Sequence, residues 1–332
     1  MKIANHDLAE KILIVAEIGN NHEGNFDVAC RMVEAAADAG VDAVKFQTFQ
    51  TRLFTSNADP ARFERLSKFE LTQAQFAKLA ELAHSRGIIF FSTPLDLESA
   101  KFLASIVPVW KVASGDNNFW PLIEYVSGSG KPVIISTGMA DLAHVQRVVE
   151  FANAKGAAGR LALLHCIAAY PVPATEVNLR AIPTLAAATG CPVGWSDHTL
   201  TPDACLAAAA IGARILEKHF TLDKNFSAFR DHQLSADPAE MRQIVDGVRR
   251  VETLLGTATK TVQASEQATI TPARRSIAAA RDLPRGHRLA ATDLMWVRPA
   301  IGLPPGEERR VVERTLARDV KTGEAITEKD VD

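Results

Sequence analysis

The chain has 332 residues, of which 47% are hydrophobic and 23% are charged, and its formal net charge is −2. This composition is typical of a globular protein, and it offers neither the basic surface that nucleic acids require nor an apolar run long enough to span a bilayer. The four cysteines lack metal-ligand spacing, and the N-terminus lacks the apolar core of a signal peptide. We therefore expect a soluble cytoplasmic protein with neither nucleic-acid nor membrane partners.

Eight short apolar runs alternate with amphipathic helical segments along residues 1–256. The predicted strands are 12–19, 43–49, 88–94, 109–115, 132–138, 161–167, 192–198 and 215–221. Apolar strands that alternate with helices are typical of a parallel sheet covered by helices, and eight such units predict a (β/α)8 barrel. A doubly wound open sheet is the alternative, but the sequence lacks the glycine-rich phosphate loop that this fold would carry.

The character of the sequence changes after residue 256. Residues 257–272 lose helical periodicity and are predicted to form a linker. Residues 273–332 are predicted to form a small β-rich domain. Two related segments in it, ARDLPRG (280–286) and ARDVKTG (317–323), suggest a weak internal duplication.

Polar side chains stand at the carboxyl end of each predicted strand. They are Glu17, Lys45, Gln47, Thr93, Lys111, Ser114, Ser136, Thr137, His165, Ser196, Asp197, His198, Glu217 and His219. In (β/α)8 barrels the carboxyl ends of the strands form the active-site face, so this distribution predicts a site there.

His198 and His219 follow two adjacent predicted strands, and each has a carboxylate beside it. Two imidazoles at neighbouring strand ends could bind one metal ion, with water or substrate oxygens completing its coordination. Hydrogen-bonded structural histidines are the alternative, because no compact chelating motif is present.

Lys45 and Lys111 stand inside apolar strands, where lysines are almost never buried without a partner. They could form an ion pair with Glu17 or Glu217, clamp a phosphate or carboxylate, or form a Schiff base. Glu17 is in turn either an acid/base group or a salt-bridge partner of Lys45. The residues alone therefore indicate a barrel enzyme for an anionic, phosphorylated substrate, with metal dependence left open.

The chain resembles the sialic acid synthase family in nine segments: AEIGNNHEG, DAVKFQTF, FSTP, KVASGD, PVIISTGMA, LLHC, YPVPATEVNL, GWSDHT and EKHFTLDK. The tail resembles the antifreeze-like (SAF) domain of that family, so the match extends over nearly all of residues 10–332. These enzymes condense phosphoenolpyruvate with an N-acylated hexosamine and release phosphate by C–O cleavage. The resemblance implies that the sugar is N-acetylmannosamine or a 2,4-diacetamido-trideoxyhexose, and that the product is a nonulosonic acid.

The resemblance also implies roles for the polar residues. Phosphoenolpyruvate would be held by Lys45, Thr93, Lys111, Ser114 and Ser196. Glu17 would be the acid/base group, and His198 and His219 would bind a catalytic divalent ion, with Mn²⁺ expected and Mg²⁺ or Co²⁺ as alternatives. The sugar would be faced by Gln47, Tyr170, Asp231 and Arg298. Because the family supplies this arginine from the small domain of the partner subunit, the resemblance implies a domain-swapped homodimer.

Three segments depart from the family pattern. Ala168 stands where a polar contact to phosphoenolpyruvate is expected. Residues 229–232 read FRDH in place of GPDH, and residues 51–69 lack the acidic and aromatic stretch common in N-acetylneuraminate synthases. The last two departures lie where the sugar is expected, so the sequence leaves the identity of the sugar open.

Two other functions are compatible with the same barrel. A Schiff-base aldolase would use Lys111 or Lys45 without a metal, and it would give the two histidines no shared role. A catalytically inactive sugar-binding homologue is consistent with Ala168, but it would have little reason to keep buried charges that cost several kcal/mol when unpaired.

Overall fold

The computed structural model describes all 332 residues, which divide into two compact units, residues 1–256 and residues 257–332. No helix in either unit combines the length and the apolar character needed to cross a membrane.

The first unit is built around eight parallel strands, whose residues are almost all buried. These are β1 Leu13–Gly19, β2 Ala43–Thr48, β3 Ile89–Pro94, β4 Trp110–Val112, β5 Val133–Ser136, β6 Leu161–Cys166, β7 Val193–Asp197 and β8 Ile215–His219. The hydrogen-bonded order is β3-β2-β1-β8-β7-β6-β5-β4, so the first and last strands pair with each other. This order gives a nearly closed barrel whose ladder is interrupted between β3 and β4, and it confirms the predicted (β/α)8 fold class.

Eight helices alternate with the strands. They are α1 Phe26–Ala39, α2 Gln73–Ser85, α3 Leu97–Leu103, α4 Trp120–Gly128, α5 Leu142–Ala152, α6 Ala181–Thr189, α7 Asp203–Ala210 and α8 Pro238–Leu255. Several begin at a side chain that accepts a first-turn N–H, as Asp237 does before α8. Further short helices, Thr51–Phe54, Pro60–Phe69 and Asp231–Leu234, lie in the loops that follow β2 and β8. Because these loops leave the carboxyl ends of the strands, the extra helices lie at the active-site face.

An antiparallel strand pair, Lys2–Ile3 with His6–Asp7, precedes the barrel. Ile3 and Leu8 from this segment are buried in the core of the first unit.

The second unit has its own small core. A helix, Gln267–Ala273, precedes the antiparallel strands β9 Ser276–Ala279 and β10 Leu294–Val297. The buried side chains are Ile277, Ala279, Leu283, Leu289, Leu294, Leu303, Val311, Leu316, Val320 and Ile326. The segment predicted as a linker is thus partly helical, since this helix begins within it.

The two ARD segments occupy equivalent positions in this unit. Arg281 pairs with Asp293 at 2.7 Å, and Arg318 pairs with Asp330 at 2.6 Å. Each following aspartate accepts a backbone N–H from the turn of the other segment: Asp282 from Thr322 at 2.9 Å and Asp319 from Arg285 at 2.7 Å. The repeated residues therefore tie the two halves of the domain together.

Replacing Asp293 by asparagine is expected to lower the unfolding free energy of the second unit by about 1–2 kcal/mol at neutral pH. The side chain is only 4% exposed, and hydrogen bonds from His287, the Ala290 amide and Arg281 lower its pKa to about 2. A carboxyl with a lowered pKa stabilises the fold above its unfolded pKa, and this contribution is lost as the pH falls through the folded pKa.

The difference between wild type and Asp293→Asn should therefore vanish as the pH is lowered from about 4 to about 2. Hydrogen-exchange protection of the β9 and β10 amides at a series of pH values measures it. Glu313→Gln is the control, because the Glu313–Arg288 pair is largely exposed and should contribute little. A constant difference at all pH values would show that the ionised carboxylate is not the source of the stabilisation.

Candidate active site

The predicted polar side chains are brought into register by the parallel strands. Glu17 of β1 lies opposite Lys45 of β2 and His219 of β8, and Glu217 lies opposite Ser196 of β7. Gln47 and Thr93 are partners in the same way between β2 and β3. Pairing between neighbouring strands therefore gathers residues that are up to 202 positions apart in the sequence (219 − 17).

The centre of the site contains two lysines and two glutamates, each buried. Lys45 Nζ lies 2.8 Å from Glu17 Oε2 and 3.8 Å from Glu217 Oε1. Lys111 Nζ lies 3.9 Å from Glu217 Oε2. The ion-pair interpretation of both lysines is therefore seen in the structure. Glu217 is the shared partner that joins the two ammonium groups.

Hydroxyl groups complete this centre. Lys45 Nζ donates to Thr93 Oγ1 at 3.1 Å, and Lys111 Nζ donates to Ser136 Oγ at 2.6 Å. Ser196 Oγ donates to Glu217 Oε1 at 3.1 Å. Four of the five residues predicted to hold phosphoenolpyruvate, Lys45, Thr93, Lys111 and Ser196, are thus linked through one contact network around Glu217.

Burial and neighbouring charges shift the pKa values of these four groups in different directions. Burial raises the pKa of Glu17 more than the charge of Lys45 lowers it. Burial would also raise the pKa of Glu217, but the charges of Lys111 and Lys45 outweigh it, so that pKa is lowered. For Lys45 the two carboxylates outweigh burial and raise the pKa, whereas burial prevails at Lys111 and lowers its pKa. An added anion would therefore favour the charged form of Lys111.

His198 and His219 face each other across β7 and β8, with ring centroids 5.3 Å apart. His198 Nδ1 donates to the carbonyl of Ile167 at 2.8 Å, so Nε2 is the ring nitrogen that remains for a ligand. Burial lowers the pKa of His198, but hydrogen bonding and charge at Cys166 and the Ile167 carbonyl outweigh it, so that pKa is raised. His219 Nδ1 is buried without a hydrogen-bond partner, and burial holds the pKa of His219 well below its usual value. Two imidazoles with unused nitrogens fit a divalent ion.

The structure holds no group of three or more His, Cys, Asp or Glu side chains around a single point. The carboxylates beside the two histidines point elsewhere: Asp197 pairs with Lys218 at 3.3 Å, and Glu217 pairs with the active-site lysines. An ion bound by His198 and His219 would therefore take its remaining ligands from water or substrate.

A cleft of about 1010 Å³ opens beside these groups. It is lined by Asn20, Glu23, Gln47, Phe54, Arg62, Arg65, Leu66, Phe69, Tyr170, Ser227, Ala228, Phe229, Arg230 and Asp231. Gln47 Nε2 donates to Glu17 Oε1 at 3.2 Å, and the Tyr170 ring lies 4.2 Å from the His198 ring. The three barrel residues predicted to face the sugar, Gln47, Tyr170 and Asp231, thus line one cleft that reaches the catalytic groups.

Asp231 has an unsatisfied oxygen in this cleft. Its Oδ1 is buried without a hydrogen bond, although Arg230 Nε lies 3.4 Å away. Burial raises the pKa of Asp231 against the opposing charge of Arg230. A substrate hydroxyl would provide the missing hydrogen bond.

Ser114 and Ala168 lie outside this contact network, and Arg298 belongs to the second unit. Ser114 begins the 3-10 turn Ser114–Asp116, and its Oγ accepts from the Gly138 amide at 3.1 Å, with no hydrogen bond to either lysine. Arg298 is an exposed residue of the second unit, directly after β10. Ala168 lies in the loop after β6 and offers only a methyl group.

The sequence presents Glu217 as a strand-end carboxylate and as one possible ion-pair partner of the lysines, but it does not indicate that Glu217 joins both of them. A signal was available, because successive residues of a strand alternate between its faces. Glu217 and His219 therefore share a face, and Lys218 points to the other one, where it meets Asp197. Nothing in the sequence singled out Arg62 and Arg65, which also line the cleft.

Comparison with known proteins shows that both units of the chain match established family models. The model of the NeuB family matches residues 32–260, and that of the SAF domain matches residues 274–332. The chain is 37% identical to the N,N'-diacetyllegionaminic acid synthase of Legionella pneumophila, over 94% of this chain and 92% of that one. It is 32% identical to the human N-acetylneuraminate-9-phosphate synthase, over 96% of this chain and 92% of that one.

Among solved structures, the chain is similar to an N-acetylneuraminic acid synthetase of Leptospira borgpetersenii, determined in complex with citrate. The two share 33% identity with a TM-score of 0.76, and the match covers 81% of this chain and 94% of that one.

Proposed function

This chain belongs to the NeuB family, and on that premise we propose that it is a nonulosonic acid synthase, a transferase that condenses phosphoenolpyruvate with an N-acylated hexosamine. Its relatives include synthases of legionaminic, pseudaminic and sialic acids, which supports the reaction class predicted from the sequence. The hexosamine is N-acetylmannosamine or a 2,4-diacetamido-trideoxyhexose.

The buried lysine pair is the observation that carries the proposal. Phosphoenolpyruvate has two anionic groups, a carboxylate and a phosphate, and Lys45 and Lys111 present two ammonium groups that share Glu217 as a partner. Ammonium groups shielded from water bind anions more strongly than exposed ones. Thr93 and Ser196 add hydroxyl donors to the same network, and Ser114 would contribute once the anion is bound.

The reaction would proceed by attack of C3 of phosphoenolpyruvate on the C1 aldehyde of the sugar, while a water molecule adds to C2. The resulting tetrahedral intermediate loses phosphate when its C2–O bond breaks. Glu17 is the acid/base group, because burial raises its pKa and so eases protonation of a carboxylate that lies beside the reacting atoms. Gln47, Tyr170 and Asp231 orient the sugar in the cleft.

His198 and His219 would hold a divalent ion, expected to be Mn²⁺, with Mg²⁺ or Co²⁺ as alternatives. When bound, such an ion polarises the sugar aldehyde. The chain presents two imidazoles for this purpose. Burial keeps His219 uncharged, whereas the pKa of His198 is raised, so that ring would release its proton when the ion binds.

The second unit would complete the site from the partner subunit. We propose a domain-swapped homodimer in which Arg298 of one chain reaches the sugar bound to the barrel of the other. Its exposed position after β10 leaves the guanidinium available for such a contact.

Phosphate release from phosphoenolpyruvate tests this function. We expect release only when Mn²⁺ and one matching hexosamine are both present, with N-acetylmannosamine and the 2,4-diacetamido-2,4,6-trideoxyhexoses as the panel. Chelation should abolish release, and His219→Ala should lower it by more than about a hundredfold while the fold is kept. Borohydride trapping of a lysine adduct would instead support the Schiff-base aldolase. A folded protein that binds sugar but never releases phosphate would support the inactive homologue.

A further inference from the structure

An irregularity at the end of β1 brings a further amide side chain to the active-site face. The pairing of β1 with β2 shifts by one residue between Glu17 and Gly19, and such a bulge redirects the side chains that follow it. Gly19 has a φ of 53°, and a Cβ at this position would lie 3.1 Å from Glu17 Oε1 and 3.4 Å from Gln47 Nε2. The glycine therefore lets the chain pass close to both groups, and the next residue, Asn20, reaches Gln47.

Asn20, Gln47 and Glu17 form a line of three hydrogen-bonded side chains. Asn20 Nδ2 donates to Gln47 Oε1 at 2.9 Å, and Gln47 Nε2 donates to Glu17 Oε1 at 3.2 Å. The other oxygen of Glu17, Oε2, lies 2.8 Å from Lys45 Nζ. The carboxylate is therefore held from two directions, by Lys45 at one oxygen and by Gln47 at the other.

The carboxylate sets the direction of both amides. Ionised Glu17 can only accept hydrogen bonds, so Gln47 turns its Nε2 towards Glu17 and its Oε1 towards Asn20. An amide oxygen also only accepts, so Asn20 presents its Nδ2 to Gln47. Asn20 makes no other side-chain hydrogen bond, and its Oδ1 is buried without a partner. Donation to Gln47 is thus the contact through which Asn20 acts on the site.

We propose that Asn20 is a positioning residue for the acid/base group Glu17, which it holds in place through Gln47. This role rests on the proposed function, in which Glu17 transfers the proton and Gln47 faces the sugar. Without Asn20 the Gln47 amide is free to turn over, and its oxygen would then face an oxygen of Glu17. The Nδ2 of Asn20 stabilises only the orientation in which the nitrogen of Gln47 faces Glu17. A residue that locks a catalytic group in this way contributes to the rate without touching the reacting atoms.

A double-variant cycle in the phosphate-release assay tests whether Asn20 acts through Gln47. In Asn20→Leu we expect kcat to fall about 5- to 10-fold, because the hydrogen bond that orients Gln47 is lost. Gln47→Leu should lower kcat by about 10- to 100-fold, because this hydrogen bond is made to a charged group. Asn20→Leu should have no further effect in the Gln47→Leu background. Losses that multiply would show that Asn20 acts independently of Gln47 and would overturn the proposal.

Asn20→Asp separates orientation from loss of shape, because aspartate resembles asparagine more closely than leucine does. It presents only oxygens to Gln47, so the amide should turn over and place its own oxygen against Glu17. We therefore expect kcat to be lower in Asn20→Asp than in Asn20→Leu. The control is Gln50→Leu, because the Gln50 amide lies on the same loop and accepts only from the exposed Arg52. The control should keep the wild-type kcat, and an Asn20→Asp variant with the wild-type kcat would contradict the proposal.

Nuclear magnetic resonance of isotope-labelled glutamine side chains observes the Gln47 amide without the reaction. Its signal is the one that disappears in Gln47→Leu, and the other glutamine signals show that each variant is folded. An amide hydrogen accepted by a carboxylate resonates downfield of one exposed to water, so the Gln47 signal should move upfield in Asn20→Leu.

The two measurements together separate the positioning role from the proposed function. If the signal moves but the wild type condenses no hexosamine, the positioning role stands and the proposed function fails. If a hexosamine is condensed and Asn20→Leu changes neither kcat nor the signal, the function stands and the positioning role is wrong. A lower kcat with an unchanged signal would also reject the positioning role, because Gln47 would then keep its place without Asn20.

Discussion

Replacing Glu217 by glutamine is expected to raise the KM for phosphoenolpyruvate by about 10- to 100-fold under the proposed function. Glu217 is the carboxylate that contacts both Lys45 and Lys111, at 3.8 and 3.9 Å, and it accepts a hydrogen bond from Ser196. Its removal leaves two buried ammonium groups facing the single carboxylate of Glu17. Two like charges with one counter-charge lower the pKa of the less compensated lysine.

That lysine is Lys111, and the effect should appear in the pH profile. Burial already lowers the pKa of Lys111, and Glu217 is the main charge that raises it. A lysine attracts the substrate anion only while it is protonated, so binding is retained below its pKa and lost as the pH rises through it. In Glu217→Gln the loss of phosphoenolpyruvate binding should therefore occur at lower pH than in the wild type. The pH dependence of kcat/KM for phosphoenolpyruvate measures this shift.

Ser196→Ala provides the matched control, because it removes the hydrogen bond to Glu217 and leaves the charge in place. It should raise KM without moving the pH profile to lower values. A Glu217→Gln variant whose profile coincides with that of the wild type would show that Lys111 does not depend on Glu217 for its charge. Thermal unfolding with and without phosphoenolpyruvate would identify any loss of activity caused by misfolding.

The barrel could be predicted because its strands are short and buried on both faces, which leaves uninterrupted apolar runs in the sequence. The positions at which the strands end are predicted less accurately. The run 109–115 predicts a strand of seven residues, but the strand is Trp110–Val112, because Ser114 begins a 3-10 turn that sets the path towards α4. A run of apolar residues does not reveal where strand pairing stops, since pairing depends on the neighbouring strand.

The site could be predicted only in part, for a related reason. Glu17, Lys45 and Lys111 stood out because charges inside apolar strands need a partner or a function. The pairing itself depends on register between β8, β1 and β7, which are brought together only when the barrel closes. Glu217 could therefore be proposed as one of two partners, and not as the residue that joins both lysines.

Arg62 and Arg65 illustrate a second limit. Exposed arginines on an amphipathic helix are typical of a solvated face, and their sequence neighbours Glu64 and Lys68 strengthen that interpretation. What directs them into the cleft is the burial of Leu66 and Phe69 against Phe229, which is 160 residues from Phe69 in the chain (229 − 69). No local pattern encodes a contact at that distance.

The Glu17→Gln and Arg298→Ala variants are each expected to have strongly reduced synthase activity when expressed alone. Activity should be partly restored when the two variants are co-expressed. Loss of the acid/base group should lower kcat by about 10²–10⁴-fold. Loss of the Arg298 guanidinium should lower kcat/KM for the sugar by about 10- to 100-fold, since a charge-assisted contact is removed. Each homodimer carries the same defect in both of its sites.

A dimer formed from one chain of each variant differs, provided that each tail serves the barrel of its partner. The Arg298→Ala barrel then keeps its own Glu17 and receives Arg298 from the Glu17→Gln chain, so one of the two sites is intact. Random pairing after co-expression gives half mixed dimers, and about a quarter of all sites should be active. If each tail served its own barrel, every site would keep one defect and mixing would restore nothing. Recovery of activity on co-expression therefore distinguishes a domain-swapped dimer from two independently complete subunits.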